Sequence, residues 1–532
     1  MSIAGSVWGL AACVLACLAA FDYVMNHLYV QGSGMLDVGW FVHLFSNAVV
    51  FPPTNPAVLG PGHYFSTHVS PIVFLTTFVH RGLMPGLGDP LFFSLVFAIP
   101  HGIVCWTVMA ALRDAGVVAR PIAVWLAPPV ALLSAFNGVS LGALGFPHPE
   151  IAIPALLLAV LVLCVRSATP SACAVFCVLL SVREDAGLHA ALLLGTICVA
   201  LRIHRGRIPR SMPWLAFAGL LCSLITILVQ KHLFGGDDAF GRIYAGPGPY
   251  DHLSAEFLFR RLAFFIGSRD YILLPWIVSL GLCLLRRNLI HLCGLVAVLP
   301  WALLSLTAIE SMPGTLSNYY AFPMVVSMVW PILAGWLTVR LLGRCLSRAE
   351  RTAMLLVPLL GIALFPSGLG HADPRPWRQF GFAHLSVSAA TDDAVARLCR
   401  SKPALGRLLV DEPVSALMTA CLHRGEWGYV NRFDPSRTGI PDTLVFLPGA
   451  SALNGDSLPK MLEVAARGGI DRFRAIDGTC LVIGTRSGAA ISRAGIPGLR
   501  LEPVALLPDP PNGLKPTRSP ACDALSGRLR PG

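Results

Sequence analysis

Along the first 370 positions of this 532-residue chain, apolar residues run in long blocks broken by short polar stretches. A bilayer-spanning helix needs about 20 mainly apolar residues. The blocks 3–21, 91–112, 121–137, 150–166, 213–233, 271–286, 289–308, 319–340 and 352–369 approach that length. The stretch 171–201 is too long for one span and is interrupted by Arg183-Glu184-Asp185, so it reads as two short helices, 171–183 and 187–201, meeting at a polar tip. Segment 70–87 is apolar but carries His80, Arg81 and nearby prolines, and reads as a half-inserted or interfacial helix. Beyond 370 the pattern changes. Short apolar runs at 407–410, 444–447 and 480–483 look like strands, and helix-like stretches at 412–422 and 457–467 separate them. That alternation predicts a small α/β domain with a mainly parallel sheet. The fold class is mainly α: a polytopic membrane domain of about 11 transmembrane helices over 1–370, with its first outer loop over 22–69, then a small α/β extracytoplasmic domain over 371–504. The tail 505–532, rich in Pro, Arg and Ser, reads as disordered.

Charge sharpens this division. Residues 1–370 hold 20 Lys/Arg and 14 Asp/Glu, whereas the remaining 162 positions hold 20 and 15, so a charge-poor membrane part precedes a soluble part of ordinary charge. This excludes a soluble enzyme, a fibrous protein and a disordered scaffold. The net charge of +11 is no sign of nucleic acid, because no basic stripe with interleaved aromatics accompanies it. Basic loops set orientation. With eleven spans and a cytoplasmic N-terminus, Arg113, Arg120, Arg166, Arg202, Arg205, Arg207, Arg210, Arg286, Arg287, Arg340, Arg344, Arg348 and Arg351 all fall inside a cytoplasmic (inner) membrane. Of the acidic residues before 371, only Asp114 and Glu350 join them; the others lie at the outer face, either as a working surface or because the outer loops are longer. The N-terminal apolar stretch lacks a basic leader and reads as a retained first helix. Cys399, Cys421, Cys480 and Cys522 fall in the extracytoplasmic domain, where disulfides persist, and spacing does not choose among their pairings.

Candidate chemistry concentrates on the outer side. Asp37 precedes a helix-like run, Val38–Val50, and suits either a helix cap or a general base held against the membrane. His63 and His68 flank a Pro/Gly-rich turn as loop hydrogen-bonders or metal ligands. In Phe146-Pro147-His148-Pro149-Glu150, Glu150 suits a helix N-terminus, while His148 is fixed between two prolines. Arg183-Glu184-Asp185 inside an apolar stretch is the strongest feature, since intramembrane ionisable groups are costly. Asp185 and His189 stand four apart on one helix face. Arg260-Arg261 can grip a phosphate or meet lipid head groups. Walker, dinucleotide-binding and zincin patterns are absent from the sequence, as is an inverted repeat with paired broken helices.

Four of these segments resemble a known family. Leu36-Asp37-Val38-Gly39-Trp40-Phe41 resembles the Asp-Leu-Gly segment that opens the bacterial membrane family catalogued as domain of unknown function 2079. His68-Val69-Ser70-Pro71-Ile72 is similar to its His-Phe-Ser-Pro-Ile, Phe146-Pro147-His148-Pro149-Glu150 to its Phe-His-Pro-Glu, and Arg183-Glu184-Asp185 to its Lys/Arg-Glu-Asp. Val38 and Pro147 depart from the pattern. The family is grouped with the integral-membrane GT-C glycosyltransferases. The resemblance therefore implies a GT-C-like helical enzyme with an active site at the outer face and a polyprenyl-phosphate-linked sugar as donor. It also implies Asp37 as catalytic base, acting on an acceptor whose identity stays open. On that reading His68, His148, Glu150, Arg183, Glu184, Asp185, His189, Arg260 and Arg261 bind substrate. No metal ligands and no certain cofactor are assigned, although the carboxylates leave room for one divalent cation. Membrane lipids are the expected surroundings and nucleic acid is not a partner. Two rival readings remain: a transporter or lipid-handling protein whose outer cluster binds an anion or sugar, and an assembly factor that binds through its outer domain. Fold does not decide between them.

Overall fold

The computed structural model describes residues 3–31, 38–54, 62–117, 121–146, 148–235, 241–248, 250–316, 318–368, 380–422, 439–447, 457–487 and 496–503. In chain order the helices are α1 Ile3–Asn26, α2 Val38–Asn47, α3 Ile72–Phe78, α4 Asp89–Asp114, α5 Pro121–Ala135, α6 Gly138–Leu144, α7 Ala152–Val165, α8 Thr169–Val182, α9 Ala186–Ile203, α10 Ser211–Leu233, α11 Ala255–Ser268, α12 Asp270–Arg286, α13 Cys293–Thr307, α14 Ser311–Gly314, α15 Met324–Leu342 and α16 Arg348–Gly368. All eleven segments predicted to span are helical. Among the described residues six helices are long and apolar enough to cross a membrane, or up to eight if each of two bent pairs forms one span. The chain is a multi-pass membrane protein. Segment 70–87 forms α3 and one wider turn, Val79–Leu83. That is too short to cross a bilayer on its own.

Packing centres on α15, where Trp330 and Trp336 are fully buried. Gly294 on α13 admits Trp330, since a Cβ there would stand 2.2 Å from the indole ring. Helices α9 and α10 cross at Gly187 and Gly219, where a Cβ on Gly187 would meet the Gly219 carbonyl at 2.1 Å. Small residues at a crossing let two backbones approach. This crossing lies two residues beyond Asp185, so it fixes where the polar tip sits. A bend of 49° separates α5 from α6, and Asn137 makes it by accepting the Val139 and Ser140 amides at 3.0 and 3.1 Å.

The helix ends sort onto two faces. On one, Arg166 pairs with Asp114 at 2.9 Å, Arg286 with Glu350 at 3.3 Å, and the Leu289 amide donates to His204 Nε2 at 2.9 Å. This face gathers most of the basic loops. The carboxylates Asp22, Asp89, Glu150, Glu184 and Asp185 belong to the other.

The C-terminal unit contains α17 Ser388–Arg400, α18 Lys402–Leu405, α19 Glu412–Leu417 and α20 Ser457–Gly468 with a five-stranded sheet, β1 Leu408–Val410, β2 Thr443–Phe446, β3 Arg472–Ile476, β4 Val482–Thr485 and β5 Leu501–Pro503, in the order β1-β2-β4-β3-β5. The expected mainly parallel sheet is corrected: β1–β2 is the one parallel pair, and β2–β4, β4–β3 and β3–β5 are antiparallel. The physical reason is the Asp477-Gly478 turn, with Gly478 at φ 73°, which folds β3 and β4 into a hairpin. Helix α19 is also shorter than the 412–422 expected. Cys399 and Cys421 form a disulfide, and Cys480 is likewise disulfide-bonded.

This unit does not hang free. Its apolar core is continuous with the ends of α1, α2 and α4. Buried Asp22 accepts the Gly381 and Phe382 amides at 2.8 and 2.9 Å, Asn26 accepts the His384 amide at 2.8 Å, and Tyr29 donates to Asp392 at 2.8 Å. His43 on α2 lies 3.1 Å from the Ser415 carbonyl, and Thr419 donates to Asp89.

Candidate functional site

Helix α8 stops at Val182 because Arg183 turns extended, at φ −159° and ψ 156°, and α9 starts at Ala186. The three charged residues between form the centre of the site. Asp185 stands at the N-cap of α9 but its side chain makes no cap bond. Arg183 Nε donates to Asp185 Oδ1 at 2.7 Å, its Nη2 donates to the other oxygen, and its Nη1 donates to Glu150 Oε1 at 3.3 Å. Glu184 points the other way. It accepts His68 Nδ1 and the Val69 amide, each at 3.0 Å. The Phe-Pro-His-Pro-Glu segment thus meets the Arg-Glu-Asp tip through Glu150, and the His-Val-Ser-Pro segment meets it through His68.

Aromatic rings wall the cluster. Tyr319, in the turn before α15, stacks on His148 at 3.6 Å, and Phe41 of α2 meets the same imidazole edge-on at 4.6 Å. Trp301 stacks on His189 at 3.7 Å, and Phe322 lies 5.4 Å beneath the Arg183 guanidinium. His189 Nε2 approaches Asp185 at 3.7 Å, and His148 Nδ1 approaches Glu150 at 3.4 Å. Glu150, His148 and His189 are buried. By contrast His68, Arg183, Glu184 and Asp185 keep side-chain exposures of 28, 17, 12 and 16%. The cluster therefore has a closed floor and an accessible rim.

Its charge is a surplus of carboxylate: one guanidinium bonds Glu150 and Asp185, Glu184 stands on the His68 side, and three imidazoles are interleaved. Burial disfavours the His68 imidazolium, but Glu184 outweighs it and holds this pKa above the ordinary histidine value. Nδ1 serves Glu184, which leaves the second ring nitrogen of His68 for another partner. Such a group of acceptors and ring faces suits a hydroxyl-rich ligand.

Seven of the residues singled out in the sequence come together: His68, His148, Glu150, Arg183, Glu184, Asp185 and His189. Asp37 and Pro147 lie outside the described residues. Helix α2 begins one residue after Asp37, and its Phe41 touches His148. Arg260 and Arg261 do not enter the cluster. Arg260 is exposed and pairs with Glu256, whereas Arg261 reaches the carbonyls of Ala308 and Glu310 at 3.2 and 3.3 Å. Arg269 donates to the Thr315 carbonyl at 2.9 Å. Arg261 and Arg269 thus hold the loop that leads to Tyr319. The ring partners Tyr319, Trp301 and Phe322 escape the sequence reading because aromatic residues in apolar segments carry no distinctive spacing. His63 packs edge-on against Phe234 at 5.4 Å, apart from His68. Among the described residues no three His, Cys, Asp or Glu side chains are placed to hold a metal ion.

No family model matches the chain, so the four-motif resemblance stands on its motifs alone. No curated protein matches it either. Among solved structures, the chain is similar to the arabinofuranosyltransferase AftD from Mycobacteria, determined by cryo-electron microscopy, with a TM-score of 0.42 and 15% identity over 90% of this chain. The chain spans 40% of the length of AftD.

Proposed function

We propose that the chain is a membrane glycosyltransferase that moves a sugar from a polyprenyl-phosphate donor to an acceptor hydroxyl at the outer face of a cytoplasmic membrane. The observation that carries the reading is convergence. Residues 68, 148, 150 and 183–185, which carry three of the four family-like motifs, meet in one cluster although they are far apart in the chain. The fourth motif leads directly into α2, which abuts that cluster.

In the proposed reaction Asp37 takes the proton of the acceptor hydroxyl. The new bond forms between that oxygen and the anomeric carbon. The bond from the anomeric carbon to the phosphate oxygen breaks, and polyprenyl phosphate leaves with the electron pair. His68, hydrogen-bonded to Glu184, and Arg183 face the developing phosphate charge. For Arg183 this means giving up part of its pairing with Asp185. Glu150, His148, Asp185 and His189 orient sugar hydroxyls, and Tyr319 offers a ring face. The sidedness rests on the basic loops gathered at the opposite face and on the disulfide in the C-terminal unit, which suits an oxidising compartment.

The test is turnover in bilayers. Purified protein receives a panel of polyprenyl-phosphate sugars with short glycan acceptors, and release of polyprenyl phosphate is followed for wild type, Asp37→Asn and His68→Ala. The reading expects release that falls by roughly 10²-fold or more in Asp37→Asn. Release unchanged in that variant removes Asp37 from the chemistry. Sugar-lipid binding without release of polyprenyl phosphate from any donor moves the weight towards a binding or transport role.

A further inference from the structure

Helix α11 has no place in the spanning bundle. Its successor α12 already joins the two faces: Arg269, before its first residue, is held by Thr315 on the site face, and Arg286 at its end pairs with Glu350 on the basic face. Helix α11 turns 88° away from α12. If α12 runs across the bilayer, α11 lies parallel to its plane, at the level of the site.

The sequence of α11 divides its circumference into three faces. At 100° per residue, Phe257, Arg261, Phe264 and Phe265 form the side turned to the protein. Phe265 is buried, and the Arg261 guanidinium lies over Phe257 at 5.1 Å. Glu256 and Arg260, one turn apart and exposed, form a polar ridge about 120° further round. The third face is apolar and bare: Leu258, Phe259, Leu262 and Ile266 are 42, 72, 52 and 62% exposed. Four large apolar side chains in one stripe, open to water, would be an anomaly on a soluble surface. The next helix, α12, likewise exposes apolar side chains, Ile277, Leu280 and Leu284.

We propose that α11 is an in-plane membrane helix whose Leu258–Phe259–Leu262–Ile266 face sits in the outer-leaflet interface, with the Glu256–Arg260 ridge in water. The occupant of this surface is the bilayer itself. Two features select it: the right-angle turn between α11 and α12, and the direct chain connection to a helix that itself exposes apolar side chains. An interfacial helix buries its apolar face about 5–10 Å into the boundary between head groups and chains. Its protein-facing side carries Arg261, which holds the 308–311 carbonyls, so this helix fixes the loop before Tyr319 at a set depth.

The test uses the full chain in nanodiscs. Phe259→Cys, Arg260→Cys and Leu284→Cys are made in a background whose exposed Cys173, Cys177 and Cys345 are serine, and each carries an environment-sensitive fluorophore, with the signal of the labelled background subtracted. Quenching by lipids with a nitroxide at carbon 5 or carbon 12 is compared with quenching by aqueous iodide. Position 259 is expected to be quenched at least about twofold more by the shallow nitroxide than by the deep one, and little by iodide, whereas position 260 responds mainly to iodide. Iodide quenching at 259 equal to that at 260 overturns the proposal and leaves the face in water for a protein partner. Stronger quenching at 259 by the deep nitroxide also overturns it, making α11 a re-entrant segment. Position 284 reports on α12 separately: without lipid quenching there, the crossing helix and the proposal fall together.

Discussion

Two buried glutamates, on opposite faces of the bundle, look alike in side-chain inventory and differ in origin. Glu350 accepts His291 Nε2 at 3.0 Å, lies 3.3 Å from Arg286, and accepts the Ser347 amide at 2.7 Å, while Ser347 Oγ accepts the Glu350 amide at 3.2 Å. Ser347-Arg348-Ala349-Glu350 is thus a capping box that starts α16. Glu150 also meets an imidazole and a guanidinium, but its partners come from the break between α8 and α9, and the cluster extends to His68, Tyr319 and Trp301 on other segments. One carboxylate caps its own helix through Ser347 and takes its imidazole and guanidinium from the single turn between α12 and α13. The other joins distant segments around an accessible rim. A helix cap and that one turn account for Glu350. Glu150 suits the helix start before α7, but that role does not call for Arg183 and the wider cluster, and this contrast separates a structural carboxylate from a candidate functional one.

The sharpest way to break the comparison is to remove the cation from each side. Arg183→Ala leaves buried Glu150, and Asp185 at the rim, without their guanidinium. Stripping one partner from a buried ion pair costs about 3–5 kcal/mol. The expected result is a large fall in melting temperature in nanodiscs, or failure to accumulate as folded protein. If Arg183→Ala melts like wild type, the cluster is not the closed-floored assembly described here.

A second contrast uses pH, on a carboxylate that is local like Glu350. Asp411 caps α19 by accepting the Val414 amide at 3.1 Å and also accepts the Leu447 amide at 2.8 Å. Burial pushes its pKa up to about 7, against the smaller opposing effect of those two bonds. The folded state then holds this proton more tightly than the unfolded chain. Its stabilising contribution is complete below about pH 4 and is lost as pH rises towards 7. Nearby His43 runs the other way, because burial depresses its pKa to about 4, so stability falls as pH drops below 6.5. The difference between wild type and Asp411→Asn cancels the histidine contribution. Amide exchange at β1 and β2 is expected to quicken from pH 4 to 7 more in wild type than in the variant, after correction for intrinsic exchange. A pH-independent difference would remove the raised carboxyl.

A smaller effect probes how the cluster is placed. Gly187→Ala drives a methyl against the Gly219 carbonyl, which is backbone and must shift. Overpacking costs typically about 1–3 kcal/mol. Displacing α9 from α10 moves Asp185, so donor turnover is expected to fall with the melting temperature. Gly294→Ala, beneath Trp330 and on a different helix, is the control that lowers stability without displacing the Arg-Glu-Asp tip.

The same contrast explains what the sequence made legible. All eleven apolar blocks became helices because bilayer-length hydropathy is a strong signal in a membrane protein. Arg183-Glu184-Asp185 was legible because charge inside an apolar stretch is anomalous. His68, His148 and Glu150 were legible through short motifs, but their meeting was not, since nothing local encodes the crossing of α9 and α10. Arg260-Arg261 look like an anion grip in the sequence, but adjacent helical positions point in different directions, and Arg261 turns to backbone carbonyls while Arg260 faces outward. The antiparallel hairpin of β3 and β4 carried a legible signal, Asp477-Gly478 between apolar runs, which the reading of a parallel sheet passed over.

The smallest expected effect tests the structural side of the comparison. Arg286 is 37% exposed and stands beside a carboxylate that keeps His291 and the Ser347 amide when the guanidinium is removed. Arg286→Ala is therefore expected to cost less than about 1 kcal/mol, within the range of exposed ion pairs and further reduced by salt. Ser347→Ala, which removes the cap itself, costs about 1 kcal/mol, as N-cap losses commonly do. Both variants should retain donor turnover, since neither side chain reaches the other face. If Arg286→Ala destabilised as much as Arg183→Ala, the Glu350 group would need its cation as the Glu150 cluster does. Local capping would then no longer account for it, and the distinction between the two glutamates would have to rest on their exposure to the rim rather than on how they were assembled.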